Sequence, residues 1–195
     1  MDTEGTGTER RVLLGLSGAS GAIYGVRVLE ALASQPDLEV HLIVTSSARS
    51  IIEDETGREV AEIAELADQV WDDAVMESPL ASGSFPVDAM AVVPCSVSTV
   101  AKIAAGIGDT LLTRAAAVSL KERRRLVVVA REMPLSTIDL RNLTTLSEAG
   151  AVVAVASPPF YTGPETVEDM VDLVAGRVLM LMGLDPGPLL RRYVP

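Results

Sequence analysis

The chain has 195 residues, 48% of them hydrophobic, with 16 basic against 27 acidic side chains and a formal net charge of −11. That length suits one domain with a full core. The acidity argues against nucleic acid or an anionic membrane as partner, and no apolar run reaches the roughly 18 residues of a spanning helix.

A mean hydropathy of +0.33 predicts apolar surface buried against further copies of the chain. Residues 1–11 are polar, lack the apolar segment of a secretory signal, and read as a disordered tail. Cys95 is the single cysteine, so no disulfide forms within the chain, and no metal-ligand cluster is visible. A cytoplasmic location is expected.

Residues 12–14 read as a buried strand and residues 22–32 as a helix, joined by the small, hydroxylated turn Gly15-Leu16-Ser17-Gly18-Ala19-Ser20-Gly21. Strand, tight turn and helix make a phosphate cradle, because glycines admit an anion to the backbone and the helix N-terminus supplies N–H donors. Leu16 stands where G-x-G-x-x-G needs its first glycine, so the dinucleotide fingerprint is not met. A second strand, 39–44, ends in Thr45-Ser46-Ser47. A dinucleotide site puts an acid there for a ribose diol, whereas hydroxyls suit a phosphate, which favours a mononucleotide such as FMN over NAD. His41, the only histidine, lies in the apolar run 40–44 and reads as structural, which removes a Ser-His-Asp triad.

Helix 48–54 follows, and residues 53–73 are acidic and helical in pieces around 60–66, with Glu55 close enough to the second strand to reach the site. Residues 77–87 form a loop rich in Ser, Pro and Gly. A third strand, 89–93, ends in Pro94-Cys95-Ser96, and helix 97–105 takes Ser96 or Ser98 as its cap. Helix 111–122 carries Arg114 and Lys121 on one face, and Arg123 to Arg125 read as cations at its C-terminus. Strand 126–130 leads into Arg131-Glu132, helix 136–148 into strand 151–156, and that into Ser157-Pro158-Pro159-Phe160-Tyr161. Thr166 and Asp169 form a capping box opening helix 167–182, which contains Arg177, and residues 185–195 are a C-terminal tail.

Five strands alternating with helices predict a doubly wound parallel α/β sheet, whose ligands sit at the carboxyl ends of the strands. Residues 17–21, Thr45-Ser46, residues 94–96, Arg131-Glu132 and residues 157–161 gather there. Arg114, Lys121, Arg131 and Arg177 suggest a basic cluster for a dense anion such as phosphate.

The motifs Ser-Gly-Ala-Ser-Gly at 17–21, Ala-Ser-Gly-Ser at 81–84, Pro-Cys-Ser at 94–96, Arg-Ala-Ala at 114–116, Leu-Lys-Glu-Arg-Arg at 120–124, Arg-Glu-Met-Pro-Leu-Ser at 131–136 and Pro-Phe-Tyr at 159–161 span most of the chain. In these the chain resembles the UbiX-type flavin prenyltransferases of the flavin-binding Cys decarboxylase superfamily. The resemblance implies a Rossmann-like (flavodoxin-like) three-layer sandwich with one FMN-binding domain over 12–184. It implies a metal-independent enzyme that joins a dimethylallyl group from dimethylallyl phosphate to N5 and C6 of reduced FMN. The prenylated FMN passes to a UbiD-type decarboxylase, and the homo-oligomer is a dodecamer whose neighbouring subunits complete each site.

By position in the motifs, Ser20 and Glu55 lie near the reacting flavin edge, and Glu132 is an acid–base group. Ser17, Gly18, Ala19, Ser20, Thr45, Ser96, Ser98, Thr99, Arg114 and Arg131 bind FMN, with Thr45 on its phosphate. Lys121, Arg131, Tyr161 and Arg177 bind the prenyl phosphate. Thr110, Ala117 and Asp139 depart from the family's usual residues, and monophosphate and diphosphate donors both stay open. A non-catalytic FMN carrier and a flavin-dependent cysteine decarboxylase are the alternatives; the latter needs a catalytic histidine early in the chain, where His41 is poorly placed.

Overall fold

The computed structural model describes residues 10–190. Six strands form one parallel sheet: β1 (Arg10–Leu16), β2 (Leu38–Val44), β3 (Gln69–Asp72), β4 (Ala89–Cys95), β5 (Arg125–Ala130) and β6 (Val152–Val155). The helices are α1 (Ala22–Ala33), α2 (Ser46–Thr56), α3 (Val60–Ala64), α4 (Val97–Ala104), α5 (Leu111–Lys121), α6 (Thr137–Glu148) and α7 (Val167–Met182). The sheet order is β3-β2-β1-β4-β5-β6. Without the edge strand β3 it is the flavodoxin order, and with it the order of the dinucleotide fold.

Successive side chains of a strand point to opposite faces, and here both faces are covered. Val12, Leu14 and Leu16 pack with α1, α2, α3 and α7 on one side. Leu13, Met90, Val92 and Val128 pack with α4, α5 and α6 on the other. Central β4 is therefore buried at all seven positions. Residues 78–87 cover the β1–β3 part of the second face in place of a helix, inserting Leu80, Phe85 and Val87.

His41 lies under that loop, 1% exposed. The Trp71 indole N–H donates to its Nδ1 at 2.9 Å, so the ring proton sits on Nε2 and donates to Glu39 at 2.8 Å. Burial pushes its pKa down against the pull of Glu39. Its role is structural, as its apolar setting implies.

The sixth strand, β3, is a correction to the five expected. It is four residues long and pairs only with β2 at the sheet edge. Three of its four residues are exposed, so no alternating apolar pattern marks it. Two boundaries also move. Arg10 and Arg11 belong to β1 rather than to the expected tail at 1–11, and residues 1–9 lie outside the described residues. The expected tail at 185–195 begins with a 3-10 turn, Gly187–Leu189, whose Leu189 is buried in the α7 cluster. Residues 191–195 lie outside the described residues. No described helix is long and apolar enough to cross a membrane.

Candidate active site

Connections from β1 run outward in one direction through β2 and in the other through β4, which makes the β1–β4 crevice the topological switch point. Ser17 stitches that crevice. Its hydroxyl donates to Pro94 O at 3.0 Å and accepts from Ser96 N–H at 2.8 Å, and its own N–H donates to Pro94 O at 3.2 Å. At 1% exposure it shapes the crevice rather than facing a ligand.

Gly21 caps α1 at φ +94°, a left-handed conformation that a side chain resists. The Gly21 and Ala22 N–H groups both donate to Glu55 Oε2, at 2.8 and 2.9 Å. A carboxylate of the chain thus fills the N-terminus of α1, which corrects the reading of that end as the open anion cradle. Burial raises the Glu55 pKa, but the Ser20 hydroxyl, the two N–H groups and the Arg131 charge outweigh it and hold the carboxyl below its ordinary range.

Arg131 leaves the end of β5. Its N–H donates to Cys95 O at 3.2 Å and its Nε to Ser20 O at 2.8 Å, which lays the guanidinium against the turn. Among the described residues, no further partner holds its terminal nitrogens. Ser20, Glu55 and Arg131 are one group, although 34 residues separate Glu55 from Gly21 and 111 separate Arg131 from Ser20.

The open helix end is that of α2. Its N-cap, Thr45, makes no side-chain capping bond and sits 3.3 Å from the Ser47 hydroxyl. A Cβ on Gly18 would lie 2.3 Å from Ser47 Oγ, so only glycine lets the first turn approach this end. Three hydroxyls and the positive end of a helix dipole converge here, which fits the phosphate of a mononucleotide. Ser46 and Ser47 join Thr45 in that set. The readable signal for them is the Thr-Ser-Ser run at the strand end.

Across the crevice Ser96 caps α4, accepting from Thr99 N–H at 3.2 Å and lying 3.0 Å from its hydroxyl. The cap is thus Ser96, with Ser98 exposed on the first turn of the helix. Cys95 is buried and its thiol is pushed up to about 12, which leaves it unreactive near neutrality.

On the far side of Arg131, Ala156 N–H donates to Ala130 O at 3.3 Å, so β5 and β6 end together. A cleft of about 720 Å³ opens there between the sheet and α7, lined by Val129, Ala154, Ser157, Tyr161, Arg177 and Leu181 among others. Its sheet wall, Val129, is two residues from Arg131. The phenol and guanidinium therefore share a cleft that adjoins the Ser20–Glu55–Arg131 group.

Other expected residues are not brought together within one chain. Lys121 ends α5 four residues ahead of β5, at the amino ends of the strands, and pairs with Glu122. The six residues of β5 rise about 3.3 Å each, so a strand's length separates Lys121 from Arg131. Arg114 donates from Nε to Ala81 O at 3.0 Å. The four-residue basic cluster is thus split, with Arg131 and Arg177 on one side and Arg114 and Lys121 on the other. The Glu132 carboxylate accepts from Met133 N–H at 3.0 Å rather than pairing with Arg131. Thr110 and Asp139, two of the departures, close capping boxes on α5 and α6; Ala117 lies half-buried on α5.

A family model described as Flavoprotein matches residues 2–179. The chain is 53% identical over 174 residues to the flavin prenyltransferase UbiX of Thermoplasma acidophilum, covering 89% of this chain and 95% of that one. It superposes with TM-score 0.93 at 43% identity on AnUbiX crystallised with FMN and dimethylallyl pyrophosphate, covering 96% and 98%. It superposes with TM-score 0.92 at 45% identity on a dodecameric FMN-dependent UbiX-like decarboxylase from Escherichia coli O157:H7, covering 95% and 100%.

Proposed function

The chain belongs to the Flavoprotein family and, within it, to the UbiX-type flavin prenyltransferases, and from that premise we propose that it joins the dimethylallyl group of dimethylallyl phosphate to N5 and C6 of reduced FMN and releases prenylated FMN to a UbiD-type decarboxylase. The observation that carries this reading is the Ser20–Glu55–Arg131 group, set between the uncapped N-terminus of α2 and the cleft holding Tyr161 and Arg177. One end takes a nucleotide phosphate, and the other takes a small anion with an apolar tail.

Thr45, with Ser46 and Ser47, holds the FMN phosphate, and Gly18, Ala19, Ser96, Ser98 and Thr99 line the crevice for the ring system. Bound reduced flavin supplies the nucleophilic nitrogen and carbon. Arg131, Tyr161 and Arg177 bind the prenyl phosphate and neutralise the negative charge that grows on it as the allylic C–O bond breaks. Fixed cations perform this task without a metal. Glu55 stays ionised and anchors the Ser20 turn at the flavin edge, and Glu132 moves a proton during phosphate loss or ring closure. Lys121 and Arg114 reach the site from a neighbouring copy in a homo-oligomer, a dodecamer like that of the E. coli relative.

The test is a mass measurement. FMN is reduced anaerobically with the protein and dimethylallyl phosphate, and the released flavin is weighed. A gain of one dimethylallyl unit is expected, while unmodified flavin bound to the protein overturns the reading in favour of a carrier. Stopped-flow spectra of Glu132→Gln then assign its step, and an unchanged rate in every phase removes Glu132 from the mechanism.

A further inference from the structure

Helix α5 ends in a Schellman turn. Arg123 N–H donates to Leu120 O at 3.1 Å and Arg124 N–H to Ser119 O at 2.8 Å. Such turns need a left-handed residue, for which glycine is usual. Here it is Arg123, at φ +58°, the one non-glycine residue with positive φ among the described residues. The turn sends Arg124 back along the loop that precedes β4. Its NH2 donates to Gly83 O at 2.6 Å and its NH1 to Phe85 O at 2.8 Å. This is a planar fork on two carbonyls, a geometry an ammonium does not reproduce.

The far end of the loop is fixed as well. The Arg11 guanidinium stacks 4.5 Å from the Phe85 ring centroid, and the His41 ring meets Phe85 edge-on at 5.7 Å. Within the loop the Ser82 and Ser84 hydroxyls are 2.8 Å apart. Gly83 is thereby pressed under the Lys121–Glu122 pair. A Cβ on it would lie 2.2 Å from Glu122 Oε1 and 2.5 Å from Lys121 Nζ. The Lys121 side chain is half exposed, yet it is held by its neighbour's carboxylate over a backbone with no side chain.

We infer that Gly83 and Arg124 are positioning residues that aim the Lys121 ammonium at the prenyl phosphate of a neighbouring copy, and this rests on the role proposed above for Lys121. An exposed lysine at a helix end samples many rotamers, and holding it in place before the anion arrives removes that ordering cost from binding.

The experiment uses the full chain under anaerobic conditions, with saturating reduced FMN and varied dimethylallyl phosphate. Gly83→Ala and Arg124→Lys each raise KM for the phosphate about tenfold, with kcat within about twofold and FMN affinity unchanged. Lys121→Met raises KM further, and adding Gly83→Ala to it has no added effect on KM, because the aimed group is gone. If Lys121→Met leaves KM unchanged, the role of Lys121 falls and this inference with it. If Lys121→Met raises KM while Gly83→Ala does not, the role of Lys121 stands and the positioning inference is overturned. A drop in kcat or thermal midpoint without a change in KM also overturns it. Should Arg124→Lys fail to fold, Gly83→Ala decides, since its Cβ meets only the ends of two flexible side chains.

Discussion

The crevice at the carboxyl ends of β1 and β4 and the turn at the amino end of β5 hold their charges in opposite ways. In the crevice, Glu55 is satisfied by two backbone N–H groups and Arg131 by a carbonyl, all from distant parts of the same chain. At the turn, Lys121 pairs with its sequence neighbour and faces outward. In the first, both charged groups are tied down within one subunit. The second is a finished local turn whose ammonium points to solvent. The difference teaches that aiming a charge and enclosing a ligand are separable tasks, and that a symmetric assembly can assign them to different copies.

The comparison breaks most visibly at Arg131. Arg131→Ala removes the tie to Ser20 and the cation set between the crevice and the cleft that Arg177 lines, and single-turnover formation of prenylated flavin falls by about 10²-fold or more. If the crevice tolerates that loss with less than a fivefold change, Arg131 is not its central charge. Ser17→Ala is next in size and acts on stability. It leaves Ser96 N–H without its partner and Pro94 O with only the Ser17 N–H, at a cost of about 1–3 kcal/mol, read as a lowered denaturation midpoint.

The smallest effect sharpens the electrostatics of the crevice. The Glu55 pKa is lowered by folding, so its contribution is fully present above the ordinary value of 4.5 and is lost as pH falls through the lower folded value. Glu55→Gln therefore lowers the thermal midpoint by a constant amount from pH 7 to pH 5, equivalent to about 0.5–1 kcal/mol for a solvent-exposed cap. The gap to the unsubstituted protein closes below that range. A gap that widens as pH falls contradicts the assigned sign.

Much of this was legible before any coordinates. Helix α7 is readable to its first and last residue, because the Thr166–Asp169 box starts it and Gly183 stops it. The crevice residues were readable as strand ends, since alternation alone places Ser17, Ser96 and Arg131 on one edge. The bond from Glu55 to the N-terminus of α1 was not, because no local pattern says which carboxylate fills a helix end 34 residues away. Nor was β3, whose four mostly exposed residues carry no alternation. Lys121 is the instructive case, since within one chain it stands apart from Arg131. Grouping it with Arg131 followed the chemistry of the side chains, while its place four residues ahead of a strand already put it at the opposite end of the sheet.

The central claim, that one copy's crevice is completed by another copy's lysine, is tested most directly by mixing two impaired proteins, assayed at dimethylallyl phosphate well below the raised KM of Lys121→Met. Arg131→Ala and Lys121→Met subunits are co-assembled in equal amounts, and prenylated flavin is measured. If crevice and lysine come from different copies at random, both are intact at about one quarter of the sites, and activity returns to about that fraction of the unsubstituted level. A mixture no more active than its two components places the whole site within single chains and contradicts the account.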